Sequence, residues 1–244
     1  MSPNAASVVQ VTMKEMSDNQ PTDEFNFSDT TKEIAGRGGG TLRYFGTVSH
    51  QNQNAFHTFD AFFKRLEREE KPAARIIELG TGCGGLSIFL QIYALTQGID
   101  FITYDNEPYN PELFPVLHME LFRRLGIDLR AKDIFEEEEE ISGEIQKKGV
   151  TVLLCDACKA REYNLFAPYL KWGDYILAHD FAPDRDYWAE HMYDKVWSFC
   201  HMIDADIAEA AKKYNLVPFM ADEFLQAAWS CRKKNMFKPV EQTE

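Results

Sequence analysis

The sequence contains no run of eighteen apolar residues, so no segment of it is long enough to cross a membrane as a helix. Cysteine is scarce and odd in number, at five residues, and the amino terminus does not resemble a secretory signal. These features favour a reducing compartment over a disulfide framework and predict a cytoplasmic protein. Basic residues are the minority, since 26 Lys and Arg face 39 Asp and Glu and give a formal net charge of −13. Such a charge argues against binding to phosphate backbones, so no nucleic-acid partner is expected.

Apolar residues are sufficient for one large domain, since 45% of the 244 residues are hydrophobic. Residues 1–54 begin with a polar and glycine-rich stretch. They are predicted to be an N-terminal extension, either flexible or a lid that orders over substrate. The main domain is predicted over residues 55–234, and residues 235–244 form a polar tail.

Strand-like and helix-like segments alternate from residue 55 onward. The predicted strands cover residues 73–79, 100–105, 127–134, 150–156 and 174–179, with a closing antiparallel pair at 216–220 and 227–232. The predicted helices cover residues 55–69, 86–96, 115–125, 135–148 and 159–170, with a long, mostly helical segment at 184–214 that forms one piece or two. This alternation predicts an α/β fold with a mainly parallel sheet, in which ligands bind beyond the carboxyl ends of the strands.

The stretch from Arg75 to Phe89 carries the main motif of the sequence. A short apolar run is followed by a glycine-rich turn and then by an apolar helical pattern. The glycines are Gly80, Gly82, Gly84 and Gly85. Glycine allows the positive φ angles of a tight turn and leaves room for a ligand near the backbone. The spacing also matches a weak dinucleotide fingerprint, with Asp105 at the end of the second strand, so a nicotinamide enzyme is one alternative.

Residues Glu78 to Gly84 read acid-x-Gly-x-Gly-x-Gly, which resembles the first motif of the class I S-adenosylmethionine (SAM) methyltransferases. The resemblance covers about residues 55 to 233. It implies a Rossmann-like, seven-stranded, mainly parallel sheet with one antiparallel strand, in three layers α/β/α. It also implies that SAM lies over the glycine turn, with Asp105 at the ribose and Asp133 and Ile134 at the adenine. The implied SAM-binding residues are Glu78, Gly80, Thr81, Gly82, Gly84, Gly85, Asp105, Asp133 and Ile134.

Two carboxylates and an imidazole follow the fourth and fifth strands. Asp156 ends the fourth strand, and His179 with Asp180 ends the fifth. In this fold the two strands are neighbours, about 4.8 Å apart, so the three side chains are expected to meet at one mouth. Such a set can hold a divalent cation and leave positions open for substrate.

The spacing Asp156-x-x-Lys159 and the pair His179-Asp180 resemble the metal-dependent small-molecule O-methyltransferases, although His179 replaces an acid of that pattern. Together with the Phe-rich helix, they also resemble the cephalosporin hydroxylase-like branch of the fold. The resemblance implies methyl transfer to an oxygen of a small hydroxylated molecule, with SAM and Mg²⁺ or another divalent metal. Asp156, His179 and Asp180 would bind the metal, while Lys159 would act as the base beside Asp156.

Simpler interpretations of these residues stay open. Asp156 is also a helix cap by position, and His179 is also a plausible core histidine. The chain could be a cephalosporin hydroxylase-like metal-binding protein or a non-catalytic SAM-fold scaffold. The Phe-rich helix could face a second copy of the chain in a homo-oligomer.

Other polar and aromatic residues give weaker signals. His50 with Gln51, and Tyr187 or Trp188, are candidates for an acceptor pocket. Cys200 and His201, taken with His191, are expected on the surface or in the core rather than at a zinc site, because His191 and His201 do not share a helix face.

Overall fold

The structure is a computed structural model that describes residues 43–44, 47–69, 71–106 and 116–236. Most of the predicted N-terminal extension, the start of the helix predicted at 115–125, and the tail from residue 237 onward lie outside these residues. Among the described helices, none combines the length and the apolar character needed to span a membrane.

The described chain contains eleven strands. They are β1 (Arg43–Tyr44), β2 (Thr47–Val48), β3 (Ala73–Leu79), β4 (Asp100–Tyr104), β5 (Asp128–Arg130), β6 (Val150–Cys155), β7 (Tyr175–His179), β8 (Phe181–Ala182), β9 (Met202–Ile203), β10 (Leu216–Pro218) and β11 (Trp229–Lys234). Seven of them form one sheet, in the order β10-β11-β7-β6-β3-β4-β5. Strands β3 to β7 run parallel, whereas β11 is antiparallel to both β7 and β10. The predicted mainly parallel sheet with one antiparallel strand is confirmed.

Helices cover both faces of this sheet. They are α1 (Ala55–Glu69), α2 (Gly85–Gln97), α3 (Val116–Leu125), α4 (Glu138–Gln146), α5 (Ala160–Phe166), α6 (Arg185–Tyr187), α7 (Asp204–Lys213) and α8 (Ala221–Leu225). Alternate residues of a strand point to opposite faces, and the buried side chains divide accordingly into two main clusters. Helices α4, α5 and α7 contribute to one cluster, and α1, α2 and α8 to the other. The three-layer α/β/α architecture is thereby confirmed.

Helix α1 occupies the range that its phenylalanine spacing predicted. Phe59, Phe62 and Phe63 are fully buried, and Phe59 meets the Trp229 ring edge-on at a centroid distance of 5.3 Å. Phe62 meets Tyr175 in the same way at 5.3 Å. The apolar face of the helix is therefore covered by strands of the seven-stranded sheet of the same chain.

The strand predicted at 127–134 is too long. It is limited to β5, because Asp133 starts a turn in which its side chain accepts a hydrogen bond from the Phe135 N–H. Helix α8 forms the connection between the two closing strands. The segment predicted as mostly helical at 184–214 divides into pieces: α6 continues as one π-helical stretch to Met192, the chain leaves helical geometry at Asp194, where φ is 55°, and helix α7 follows later.

The segment that follows Asp194 ends in a separate two-stranded sheet. Strand β8 comes directly after β7 in the chain, and β9 pairs with it in parallel, with Met202 opposite Phe181. Trp197 and Cys200 are buried beneath it and pack with Met192 and Ala182. Residues 197–201 are therefore held across the carboxyl end of β7.

Candidate active site

The glycines of the turn after β3 serve different purposes. A Cβ atom on Gly80 would lie 2.7 Å from the Ala157 N, and one on Gly85 would lie 2.6 Å from the Val48 carbonyl oxygen. These two glycines allow close packing between chain segments. At Gly82, where φ is 51°, a Cβ atom would meet nothing within 4 Å among the described atoms. Of these three positions, Gly82 is the one where the backbone faces open space.

Glu78 lies beneath this turn and is fully buried. One carboxylate oxygen, Oε2, accepts hydrogen bonds from Ser87 Oγ at 2.5 Å and Thr103 Oγ1 at 2.7 Å, and Thr103 Oγ1 lies 2.6 Å from Thr81 Oγ1. The other oxygen, Oε1, is buried without a hydrogen-bond partner among the described residues. Burial raises the pKa of Glu78 to about 8, although the bonds from Ser87 and Thr103 act in the opposite direction.

A cavity of about 490 Å³ opens beyond the carboxyl ends of β3, β6 and β7. Its described walls are formed by Ser49, His50, Glu78, Gly80, Thr81, Gly82, Cys83, Leu86, Asp105, Asp156, Ala157, Lys159, His179, Asp180, Trp197, Phe199 and His201. Asp105 is tied to the turn, because its Oδ2 accepts a hydrogen bond from the Gly82 N–H at 2.8 Å. The cavity thus joins the turn after β3 to the residues that follow β6 and β7.

Four of the predicted SAM-binding residues are not among these walls. Gly84 precedes helix α2 and Gly85 packs against Val48. Asp133 forms the turn after β5, and Ile134 is 6% exposed in the core cluster. Their contact with SAM stays a prediction.

The two aspartates after β6 and β7 lie together, as their strand positions predicted. Asp156 Oδ1 lies 3.0 Å from His179 Nδ1, and its Oδ2 accepts a hydrogen bond from Gln51 Nε2 at 3.1 Å. Gln51 is itself buried and its Oε1 accepts a hydrogen bond from Trp229 Nε1 at 2.8 Å. Asp156 is therefore fixed from the side of β7 and from the chain before α1.

Asp180 has contacts from three directions. Its Oδ1 accepts a hydrogen bond from Trp197 Nε1 at 2.5 Å. Its Oδ2 lies 3.0 Å from Lys159 Nζ and 2.7 Å from His201 Nδ1. Burial alone would raise the pKa of Asp180, but nearby His179 and Lys159, with the Trp197 hydrogen bond, outweigh it and hold the pKa well below its usual range.

Lys159 is held between these carboxylates. Its Nζ lies 3.0 Å from Asp180 Oδ2 and 3.7 Å from Asp156 Oδ1. Burial lowers the pKa of an ammonium group, but Asp156 and Asp180 outweigh it here and raise the pKa of Lys159. A general base needs the opposite direction, so in this arrangement Lys159 keeps its proton.

As placed, this cluster does not fit a divalent cation. Within the described residues, no group of three or more His, Cys, Asp or Glu side chains is arranged to hold a metal ion. All four carboxylate oxygens of Asp156 and Asp180 already face protein donors, and the Lys159 ammonium lies between the two carboxylates. The predicted ligands Asp156, His179 and Asp180 thus meet in space, but they face one another and Lys159.

The sequence interpretation missed the residues that come from the loop before β9. His201 is exposed, as one of the two expected placements, and it also lines the cavity and contacts Asp180, which was not expected. Trp197 and Phe199 line the same wall, so alternate residues 197, 199 and 201 face one side. That period of two is the signal that could have identified an extended segment here. Of the acceptor-pocket candidates, His50 lines the cavity, whereas Tyr187 and Trp188 do not.

Known proteins resemble this chain in structure more than in sequence. No protein-family model and no curated protein sequence matches it. The apo structure of CmcI-N160 superposes with a TM-score of 0.55 at 16% identity, covering 91% of this chain and 84% of that one. The structure of CmcI-D160 with Mg and SAM gives a TM-score of 0.50 at 16% identity, covering 90% and 83% of the two chains. The chain therefore has the fold of these CmcI structures, the fold that the methyltransferase resemblance implied.

Proposed function

We propose that this protein is a SAM-dependent methyltransferase that transfers a methyl group to an oxygen atom of a small hydroxylated molecule. The observation that carries the proposal is the composition of one cavity. The glycine turn with Glu78 and Asp105 forms one side of it, and the pair Asp180 and His201 forms the other. A nucleoside-type ligand and a proton-accepting group would then meet at the carboxyl end of the sheet, where ligands of this fold class bind.

The residues on the turn side fit SAM. Glu78 offers Oε1, a buried oxygen without a described partner at the cavity wall, which suits the ammonium group of the methionine part. Gly82 leaves the backbone open, and Asp105 beside it supplies a carboxylate that suits ribose hydroxyls. When bound, SAM would supply a methyl group that its sulfonium already activates for attack by a nucleophile.

On the other side, His201 is the residue that suits proton transfer. With a proton on Nδ1 donated to Asp180 Oδ2, the ring nitrogen Nε2 is an acceptor, and 59% of the side chain is exposed. We infer that Nε2 takes the proton of the acceptor hydroxyl as the oxygen attacks. Asp180 fixes the tautomer and stabilises the imidazolium that forms.

The aromatic residues of the same loop would position the acceptor. Trp197 is 5% exposed and fixed by its bond to Asp180, whereas Phe199 is 43% exposed at the cavity wall. A rigid indole beside an exposed phenyl ring offers an apolar surface against which an organic acceptor can be held close to His201. Positioning of this kind supplies much of the acceleration when the donor is already activated.

Calorimetry with SAM is the first test. We expect wild-type protein to bind SAM, and Glu78→Gln and Asp105→Ala to bind it more weakly. Absence of SAM binding in the folded wild-type protein would refute the proposal.

Formation of S-adenosylhomocysteine with a panel of phenols, catechols and sugars is the second test. We expect His201→Ala to lose most of its turnover, by about 10²–10⁴-fold, while SAM binding is kept. His191→Ala is the matched control, because His191 is an exposed histidine outside the cavity. Equal loss in both variants would remove His201 from the mechanism, and SAM binding without turnover on any acceptor would favour a scaffold role.

A further inference from the structure

Two carboxylates share the floor of the cavity with a single ammonium group. The side chains of Asp156, Asp180 and Lys159 are 15%, 6% and 13% exposed. Carboxylates buried this deeply need a compensating positive charge nearby, because burial removes the hydration that would otherwise stabilise them. Lys159 supplies that charge to both of them at once.

The backbone at Lys159 is unusual. Its φ is 25° and its ψ is −81°, a conformation that a residue with a side chain rarely adopts, and Asp180 opposite has a φ of 54°. Such conformations persist where the surrounding structure fixes them, and they concentrate at functional sites. Both partners of the short Lys159–Asp180 contact are thus held by strained backbone.

The turn that carries Lys159 is anchored from below. The Cys158 N–H donates to Glu162 Oε1 at 2.7 Å, and the Tyr163 N–H donates to the Lys159 carbonyl oxygen at 2.8 Å. Glu162 and Tyr163 are both fully buried. The backbone that carries the Lys159 side chain is therefore held by the core.

We infer that Lys159 is the resident cation of this site and that its ammonium group takes the place between Asp156 and Asp180 that a divalent metal would need. The inference rests on the proposed function for its chemical meaning, since it makes methyl transfer here independent of a divalent metal. A second cation between the same carboxylates would meet the fixed charge of Lys159 a few ångströms away. The carboxylate oxygens that would coordinate it are already hydrogen-bonded to Gln51, Trp197 and the two histidines.

Titration with Mn²⁺, followed by the electron paramagnetic resonance signal of the free ion, tests the inference without an acceptor. We expect wild-type protein to leave the free-ion signal unchanged, with and without SAM. Lys159→Met, which keeps an unbranched stem of four atoms and removes the charged group at its end, should gain one Mn²⁺ per chain because the two carboxylates lose their internal cation. Lys159→Gln gives the same test with a polar side chain, and Lys159→Arg, which keeps a cation, should exclude Mn²⁺ as wild type does.

The site of any bound ion is checked with Asp180→Asn. Added to Lys159→Met, it should abolish the gained Mn²⁺. The inference is overturned if wild-type protein takes up one Mn²⁺ per chain and Asp180→Asn removes it. It is also overturned if Lys159→Met and Lys159→Gln bind SAM like wild type yet gain no Mn²⁺. Calorimetry with SAM on the same samples separates the two ideas, because failure to bind SAM refutes the proposed function while the Mn²⁺ titration still decides the role of Lys159.

Discussion

At the scale of single residues, Asp180 connects three parts of the site. It follows β7, accepts a hydrogen bond from Trp197 and lies within 3.0 Å of Lys159 Nζ and 2.7 Å of His201 Nδ1. We predict that Asp180→Asn lowers the unfolding free energy by about 3–5 kcal/mol, because it removes one partner of a buried ion pair. Thermal denaturation measures this, and Asp186→Asn, an exposed aspartate on α6, should change little. Equal effects of the two changes would contradict the central place given to Asp180.

A second prediction at this scale concerns pH. Glu162 is fully buried, and burial raises its pKa to about 7, although the bond from Cys158 N–H acts against it. The folded pKa therefore exceeds the unfolded value of about 4.3. The stability linked to this group is fully present below the unfolded value and is lost as pH rises through about 7.

Glu162→Gln keeps an oxygen for the Cys158 N–H but does not ionise. We expect the variant to exceed wild type in unfolding free energy by up to about 3 kcal/mol at pH 8 and to match it near pH 4. Denaturant unfolding at the two pH values measures the difference. A gain that is the same at both values would show that ionisation of Glu162 is not its cause.

Sequence position alone placed Asp156, His179 and Asp180 together, because each lies at the carboxyl end of a parallel strand and β6 and β7 are neighbours. It did not place His201. That position depends on the pairing of β8 with β9, a contact between residues about twenty apart that no local pattern encodes. The sequence also could not predict that the pKa of Lys159 is raised, because the rise depends on distances between side chains of different elements.

At the scale of elements, the start of helix α2 is packed against the chain that follows β2. A Cβ atom on Gly85 would lie 2.6 Å from the Val48 carbonyl oxygen and 2.7 Å from Ser49 Cα. We predict that Gly85→Ala lowers the unfolding free energy by about 1–3 kcal/mol through overpacking. Gly143→Ala in α4 is the matched control, because no described atom lies within 4 Å of its Cβ, and it should stabilise the helix by up to about 1 kcal/mol. Similar shifts in melting temperature for both would contradict this account.

Periodicity predicted the elements best where one face is buried along the whole length. Helix α1 matches its prediction, since its phenylalanines recur at helical spacing and pack on the sheet. Over residues 184–214 the pattern predicted helix in one piece or two, but it did not locate the break, because the apolar residues belong in turn to α6 with its π-helical continuation, to an extended loop and to helix α7. An apolar periodicity averaged over the whole segment cannot locate the boundaries between these structures.

At the scale of the molecule, residues before α1 belong to the packing of the site. Gln51 connects Asp156 to Trp229, and Asn52 donates to the Gln226 carbonyl oxygen at 2.9 Å while its Oδ1 accepts from the Ala55 N–H. We predict that a chain beginning at residue 55 unfolds at lower temperature and binds SAM more weakly than one beginning at residue 43. The loss of each buried hydrogen-bond partner costs about 1–3 kcal/mol. Equal melting temperatures would place these residues outside the folded unit and support the predicted boundary at 54.

The pairing of β8 with β9 has a consequence for how this molecule could diversify. The turn that would hold SAM connects β3 to α2. Trp197, Phe199 and His201 lie instead on the loop between β8 and β9, and the pairing of these two strands holds the ends of that loop together. Under the proposed function, donor recognition and acceptor recognition would therefore be encoded by separate stretches of sequence. We therefore expect that replacing residues 183–201 changes which acceptors are used, while the half of the cavity that would hold the methyl donor stays intact.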